Sequence, residues 1–216
     1  MSKNVKWFTI LIPTFYFLIP LIFKFNYDSS FLLVKFTELY VNCIPITVCV
    51  IFLIKKAIVK TFYKFVVLTA LIVYLCSLHQ LVTFIPIWHY SEGEIVVYST
   101  IHSLNLVPFK TILESQMTDL MGPLLMLTPL AFALMSLSIL KSKKKTIMVI
   151  MLISIGIELI QFIENSIGSA FLVYARSTYI DDVILNTLGG VLGVYIYLLF
   201  NHFIDKSQSK RLQFSN

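Results

Sequence analysis

Apolar runs dominate the chain, and the polar breaks between them are short. A bilayer-spanning helix needs about 20 mostly apolar residues, within a range of roughly 17–25. Six stretches meet that requirement: Trp7–Phe23, Thr37–Ile54, Phe65–Val82, Leu120–Leu140, Thr146–Ile163 and Val183–Ile204. Glu38 and Asn42 crowd one end of the second. In the fifth, Ser154, Glu158, Gln161 and, just beyond it, Asn165 recur at i, i+4, i+7 and i+11, so they share one helical face. Asp182, Asn186, Gly189 and Gly193 repeat that spacing at the start of the sixth. The pattern predicts an all-α, polytopic membrane bundle of six transmembrane helices, a single domain over residues 1–216.

Composition sharpens this picture. The 216 residues are 58% hydrophobic, against roughly 45–50% for soluble domains. Mean hydropathy is +0.86. The first span follows Lys3 and Lys6 without a small-residue cleavage site after it, which reads as an uncleaved signal anchor. Cys43, Cys49 and Cys76 lie inside spans and lack metal-type spacing, so they read as buried free thiols. No internal repeat or low-complexity segment appears.

The net charge of +6 is not a nucleic-acid signature, because the basic residues segregate by loop. All but four of the 17 lie in the amino-terminal tail, in the Lys55–Lys64 and Lys141–Lys145 loops, or in the carboxy-terminal tail. The exceptions are Lys24, Lys35, Lys110 and Arg176. The positive-inside bias then predicts cytoplasmic termini. Asp205 is the only acid on the lysine-rich side. Two loops, Thr83–Asp119 and Glu164–Asp182, are expected to face outward.

Ionisable groups inside spans are costly and mark candidate sites. Glu158 falls about 8 Å below the outer end of its helix. Antiparallel packing of the last two helices along their stripes would bring Glu158 and Gln161 near Asp182 and Asn186. Gly189, Gly190 and Gly193 would permit that close approach. Glu158 and Asp182 are the candidate catalytic carboxylates, as general acid or base. Asn105, Gln161, Arg176, Asp181 and Asn186 are candidate substrate-binding residues. Asp181 is also a candidate cap for its own helix, where a carboxylate is favoured. Arg176 could clamp a carboxylate or phosphate bidentately.

Ile101–Met117 has amphipathic character and is expected to lie in the outer interface. His79, His89, Glu92, Glu94 and His102 share that side without compact zinc-ligand spacing, so no metal and no cofactor are expected. Pro13, Pro20, Pro123 and Pro129 read as helix kinks.

Three motifs in order resemble the VanZ-like family of small bacterial membrane proteins, named for a teicoplanin-resistance factor. Asn105-Leu-Val-Pro108-Phe109 is similar to its N-L-[IV]-P-F element. Ser154…Glu158-Leu-Ile-Gln161 is similar to its S-x-x-x-E-x-x-Q helix. Arg176…Asp181-Asp182…Asn186-Thr-Leu-Gly189-Gly190…Gly193 is similar to its terminal element. The motifs fall within residues 105–204. Ala175 and Tyr179 stand where the family pattern has glycine and aspartate, and Thr128-Pro129-Leu-Ala131 replaces a common P-x-G. The resemblance implies a multi-pass protein of a bacterial cell membrane, with some relatives lowering susceptibility to lipoglycopeptide antibiotics.

Three functions stay open at this point. The outward polar site could bind a lipid headgroup, a wall precursor or a lipoglycopeptide, with membrane lipids around it. It could be an enzyme modifying such a molecule through Glu158 and Asp182. A small transporter would need a polar path to the cytoplasmic side, and the stripes stop in the outer half.

Overall fold

The computed structural model describes residues 5–23, 32–83, 85, 104–168 and 178–213. A 3-10 turn at Val5–Leu11 leads into α1 (Ile12–Phe23). Then follow α2 (Leu32–Lys56), α3 (Phe62–Val82), α4 (Lys110–Glu114), α5 (Met117–Met126), α6 (Thr128–Ser136), α7 (Lys143–Gly168) and α8 (Ile180–Gln213). Among the described residues, five helical stretches are long and apolar enough to cross a membrane: Leu33–Lys56, Phe62–Val82, Met117–Ser136, Lys143–Ile163 and Ile180–Ile204. The first expected span differs. Its apolar helical stretch, Val5–Ile19, is shorter and opens as a 3-10 helix.

Burial follows helical period. On α3 the buried positions Leu68, Leu71, Ile72, Leu75 and Cys76 recur at i, i+3, i+4, i+7 and i+8. The four aliphatic ones meet Val50, Leu53 and Ile54 of α2 and Leu130, Ala131 and Leu134 of α6 in one apolar core. The outward faces are also apolar, with Leu152, Leu159, Tyr195 and Leu199 exposed. A helix apolar on both faces suits lipid outside and packing inside.

The lysine-bearing segments gather at one end. Lys6 donates through Nζ to the carbonyls of Ile54 (2.6 Å) and Ala57 (3.1 Å), where α2 leaves carbonyls unsatisfied. Lys64 Nζ donates to Ser138 Oγ at 3.2 Å. The opposite end is tied by amides. Asn42 Nδ2 donates to Ile85 O (3.0 Å), and Ile85 N–H donates to Asn42 Oδ1 (2.9 Å). Gln161 Nε2 reaches the carbonyl of Val82 at 3.4 Å.

The fourth span is broken between α5 and α6, at Leu127. Pro129 has no N–H for the carbonyl four residues back, so the ladder cannot run through. Tyr74 Oη donates to the carbonyl of Met126, the last residue of α5. Thr128 Oγ1 lies between the carbonyls of Leu124 (3.2 Å) and Gly189 (3.0 Å).

That last contact corrects the expected partner of the glycine stripe. Gly189 faces the backbone of Leu124, and Gly193 faces the Thr128 carbonyl and the Ala131 side chain. Both belong to the fourth span, not the fifth. Gly190 turns toward α7, where an added Cβ would sit 2.6 Å from Ile150 Cγ2. Helix α8 packs against α5, α6 and α7 together. A helix in such a groove divides neighbouring positions of one stripe between two partners.

Candidate functional site

The expected polar residues assemble where the amino terminus of α8 meets α7, at the end of the bundle opposite Lys6 and Lys64. Two short strands, β1 (Leu104–Asn105) and β2 (Thr178–Tyr179), pair in parallel there, with Leu104 opposite Thr178 and Asn105 opposite Tyr179. No local alternation predicted them. They join the two loops that the sequence assigned to one side.

Asn105 organises its own loop. Its Oδ1 accepts the Val107 N–H at 3.1 Å, an Asx turn, and its Nδ2 donates to Thr111 Oγ1 at 3.1 Å. Pro108 follows, then Phe109 in the left-handed region with φ of 66°. A bulky residue at positive φ is strained and persists only when its surroundings hold it.

Asp181 supplies that hold. Its carboxylate accepts the N–H groups of Phe109 (2.6 Å) and Ile112 (3.1 Å), and the residue is 1% exposed. These are the amino-terminal donors of α4, which has no side-chain cap of its own. Asp181 therefore caps a neighbouring helix rather than its own. Each hydrogen bond to a charged group contributes about 1.5–3 kcal/mol.

Glu158 is buried on α7 and accepts the Tyr179 N–H through Oε2 at 3.2 Å. Its other oxygen makes no hydrogen bond among the described residues. One turn below it, Ser154 Oγ accepts from Asn186 Nδ2 at 3.0 Å, and both residues are fully buried. Among the described residues, Asn186 Oδ1 and Thr178 Oγ1 are buried without a partner. Asp182 is partly exposed, lies within electrostatic reach of Glu158 and Asp181, and makes no hydrogen bond among the described residues. Two adjacent aspartates, about 100° apart around the helix, thus have separate tasks.

Of the residues singled out from sequence, the structure brings together Glu158, Asp181, Asp182, Asn186 and Asn105. Gln161 is turned to Val82 at the end of α3. Arg176, Asn165, His89, Glu92, Glu94 and His102 lie outside the residues whose side chains are described. Among the described residues, no group of three or more His, Cys, Asp or Glu could hold a metal ion. His79 Nδ1 instead lies 2.6 Å from Thr83 Oγ1, and its ring meets Phe17 edge-on.

The VanZ/LLP1 family model matches residues 65–201, from α3 through the membrane-length part of α8. The chain belongs to the VanZ/LLP1 family. No curated protein and no solved structure matches it.

Membership gives the bonding pattern a reading. In this VanZ/LLP1 chain the N-L-V-P-F element is a strained turn, and the first aspartate of the Asp-Asp pair holds it. The S-x-x-x-E-x-x-Q helix meets α8 through Ser154 and the strand before it through Glu158. Tyr179 contributes its backbone N–H to Glu158. Sequence reading missed Thr178, because a lone threonine in a loop has no period to betray its burial. Thr111 and Thr128 were missed for a similar reason, since their partners come from distant segments.

Proposed function

We propose that the Glu158–Asp182 cluster is an outward-facing site in a bacterial cell membrane. It would bind the polar part of an outer-leaflet amphiphile: a lipid headgroup, a lipid-linked wall precursor or a lipoglycopeptide. The consequence for the cell is lower susceptibility to lipoglycopeptides such as teicoplanin, as the resemblance implies. The lysine distribution supports cytoplasmic termini and an outward site. The observation that carries the reading is the convergence of Glu158 and Asp182, both with oxygens unused by the fold, in an apolar bundle. Carboxylates are costly there, and helices can be glued by cheaper residues. The loop beside them exposes Leu106, Val107, Phe109 and Leu113, an apolar surface suited to acyl chains.

The polar atoms of Asn105 and Asp181 and the Nε2 of Gln161 are engaged by the fold, which favours a binding cradle over a catalytic constellation. The enzymatic alternative rests on the same free oxygens. Cells producing the wild-type chain should survive more teicoplanin than cells producing Glu158→Gln or Asp182→Asn at equal membrane abundance. Equal susceptibility with and without the wild-type chain would remove the resistance role. A new lipid or wall-precursor product seen by mass spectrometry, dependent on Glu158, would replace binding by catalysis.

A further inference from the structure

We propose that the free oxygens of Glu158, Asp182, Asn186 and Thr178 form a receptor for a primary ammonium group. The inference rests on the binding reading above and names the ligand's chemistry. It comes from counting which hydrogen-bonding atoms the fold leaves over.

Six N–H donors around the site are already bonded to oxygens of the fold. Phe109 and Ile112 donate to Asp181, Tyr179 to Glu158, and Val107 to Asn105. Asn186 Nδ2 donates to Ser154, and Asn105 Nδ2 to Thr111. Asp181 and Asp182 lie in the first turn of α8, so that end of the helix already carries two carboxylates. Among the described side chains of the site, what remains can accept: the Asp182 carboxylate, the second oxygen of Glu158, Asn186 Oδ1 and Thr178 Oγ1. The last two are more than nine-tenths buried and unpartnered, which is costly unless something fills the seam. Asn186 lies one turn below Asp182, and its amide crosses to Ser154, one turn below Glu158. Its free oxygen therefore belongs to the same α7–α8 seam as the acids.

An ammonium group brings three donors and no acceptor, with one positive charge. That complements such an oxygen set and offsets the crowded carboxylates. A phosphate brings only acceptors and negative charge, so these atoms would repel it. A calcium ion takes about 6–8 oxygen ligands, more than the seam offers. The amine can come from a lipid headgroup or from a soluble molecule, and the exposed apolar loop favours the lipid.

The test is native mass spectrometry of the full-length purified chain with an equimolar mixture of lipids. The mixture holds phosphatidylethanolamine, its N-acetyl derivative and phosphatidylglycerol. The expected result is a preference of about tenfold or more for phosphatidylethanolamine over the acetylated form, equivalent to about 1.4 kcal/mol. Asp182→Asn and Thr178→Val should each reduce that preference while the chain stays folded. Displacement by free ethanolamine would support a soluble source, and displacement only by the lipid would support the headgroup. Equal retention of the two ethanolamine lipids overturns the inference, as does a preference that survives both variants. Phosphatidylglycerol bound in an Asp182-dependent way would leave the binding site standing and make the ligand class wrong. Amine preference without any effect on teicoplanin susceptibility would sink the resistance role alone.

Discussion

Between Gly189 and Gly193, helix α8 lies against the backbone of the fourth span with no room for a side chain. Two turns earlier the same helix carries two aspartates and an asparagine, and one of those aspartates has no bond at all among the described residues. In the glycine half, contact is the whole content of the surface. In the acidic half, one carboxylate is spent on a loop and the other is kept in reserve. Stability and ligand chemistry are therefore separable along a single helix, within about 18 Å at 1.5 Å per residue.

The largest effect should come from filling the glycine half. Gly189→Leu drives a side chain into the Leu124 carbonyl and the Thr128 hydroxyl. Backbone cannot move aside as a side-chain tip can, so the cost should be on the order of 3 kcal/mol or more. Little folded protein should survive, judged by size-exclusion profile and thermal midpoint in detergent. Gly156 on α7 is the matched control, since nothing lies within 4 Å of its added Cβ. Gly156→Ala should keep the fold and raise the midpoint, because alanine is favoured over glycine in a helix by about 1 kcal/mol. Identical behaviour of Gly189→Leu and wild type would break the comparison at its root.

The glycines also mark how far the sequence could be read. The apolar runs were long enough to reveal five of the helices from length alone. The spacing of Ser154, Glu158 and Asn186 placed them on faces that do meet. The partner of Gly189 was not legible, because a one-dimensional stripe does not say which of two neighbours it touches. Nor was the Asp181 cap on α4, which joins residues about 70 positions apart through backbone N–H groups that no residue type advertises. The helix break before Thr128 was half legible. Pro129 announced a kink, while Tyr74 as its hydrogen-bond partner came only from packing. Candidate acids were readable by residue type, and their division of labour was not.

A middle-sized effect should follow from Asp181→Ala. It removes the acceptor for two N–H groups of the Phe109 turn and leaves positive φ at Phe109 without support. Phe109 is exposed enough for water to replace part of the loss, so the expected cost is about 1–3 kcal/mol. Amide hydrogen exchange at Phe109 and Ile112 should accelerate while that of the α7 centre stays protected. Unchanged exchange at those two amides would mean that the carboxylate does not hold the turn.

The smallest effect on the fold, and the sharpest test of the comparison, belongs to Asp182→Asn. The substitution keeps shape and removes one charge. In the described structure it breaks no hydrogen bond, and it relieves repulsion with Asp181 and Glu158. Like charges in a low-dielectric setting oppose folding, so the sign of the change should be neutral to stabilising. Its size should fall within about 0.5 kcal/mol, as for substitutions away from packing and bonding networks. Thermal unfolding in detergent at low and high salt measures it, and any gain should shrink as salt screens the remaining pair. Asp181→Asn, one residue away, should fall by comparison, because its side chain would offer only one carbonyl oxygen where two N–H groups now have one each. A loss for Asp182→Asn as large as that for Asp181→Asn would show both carboxylates to be structural. The acidic half of α8 would then differ from the glycine half only in the atoms it uses for packing.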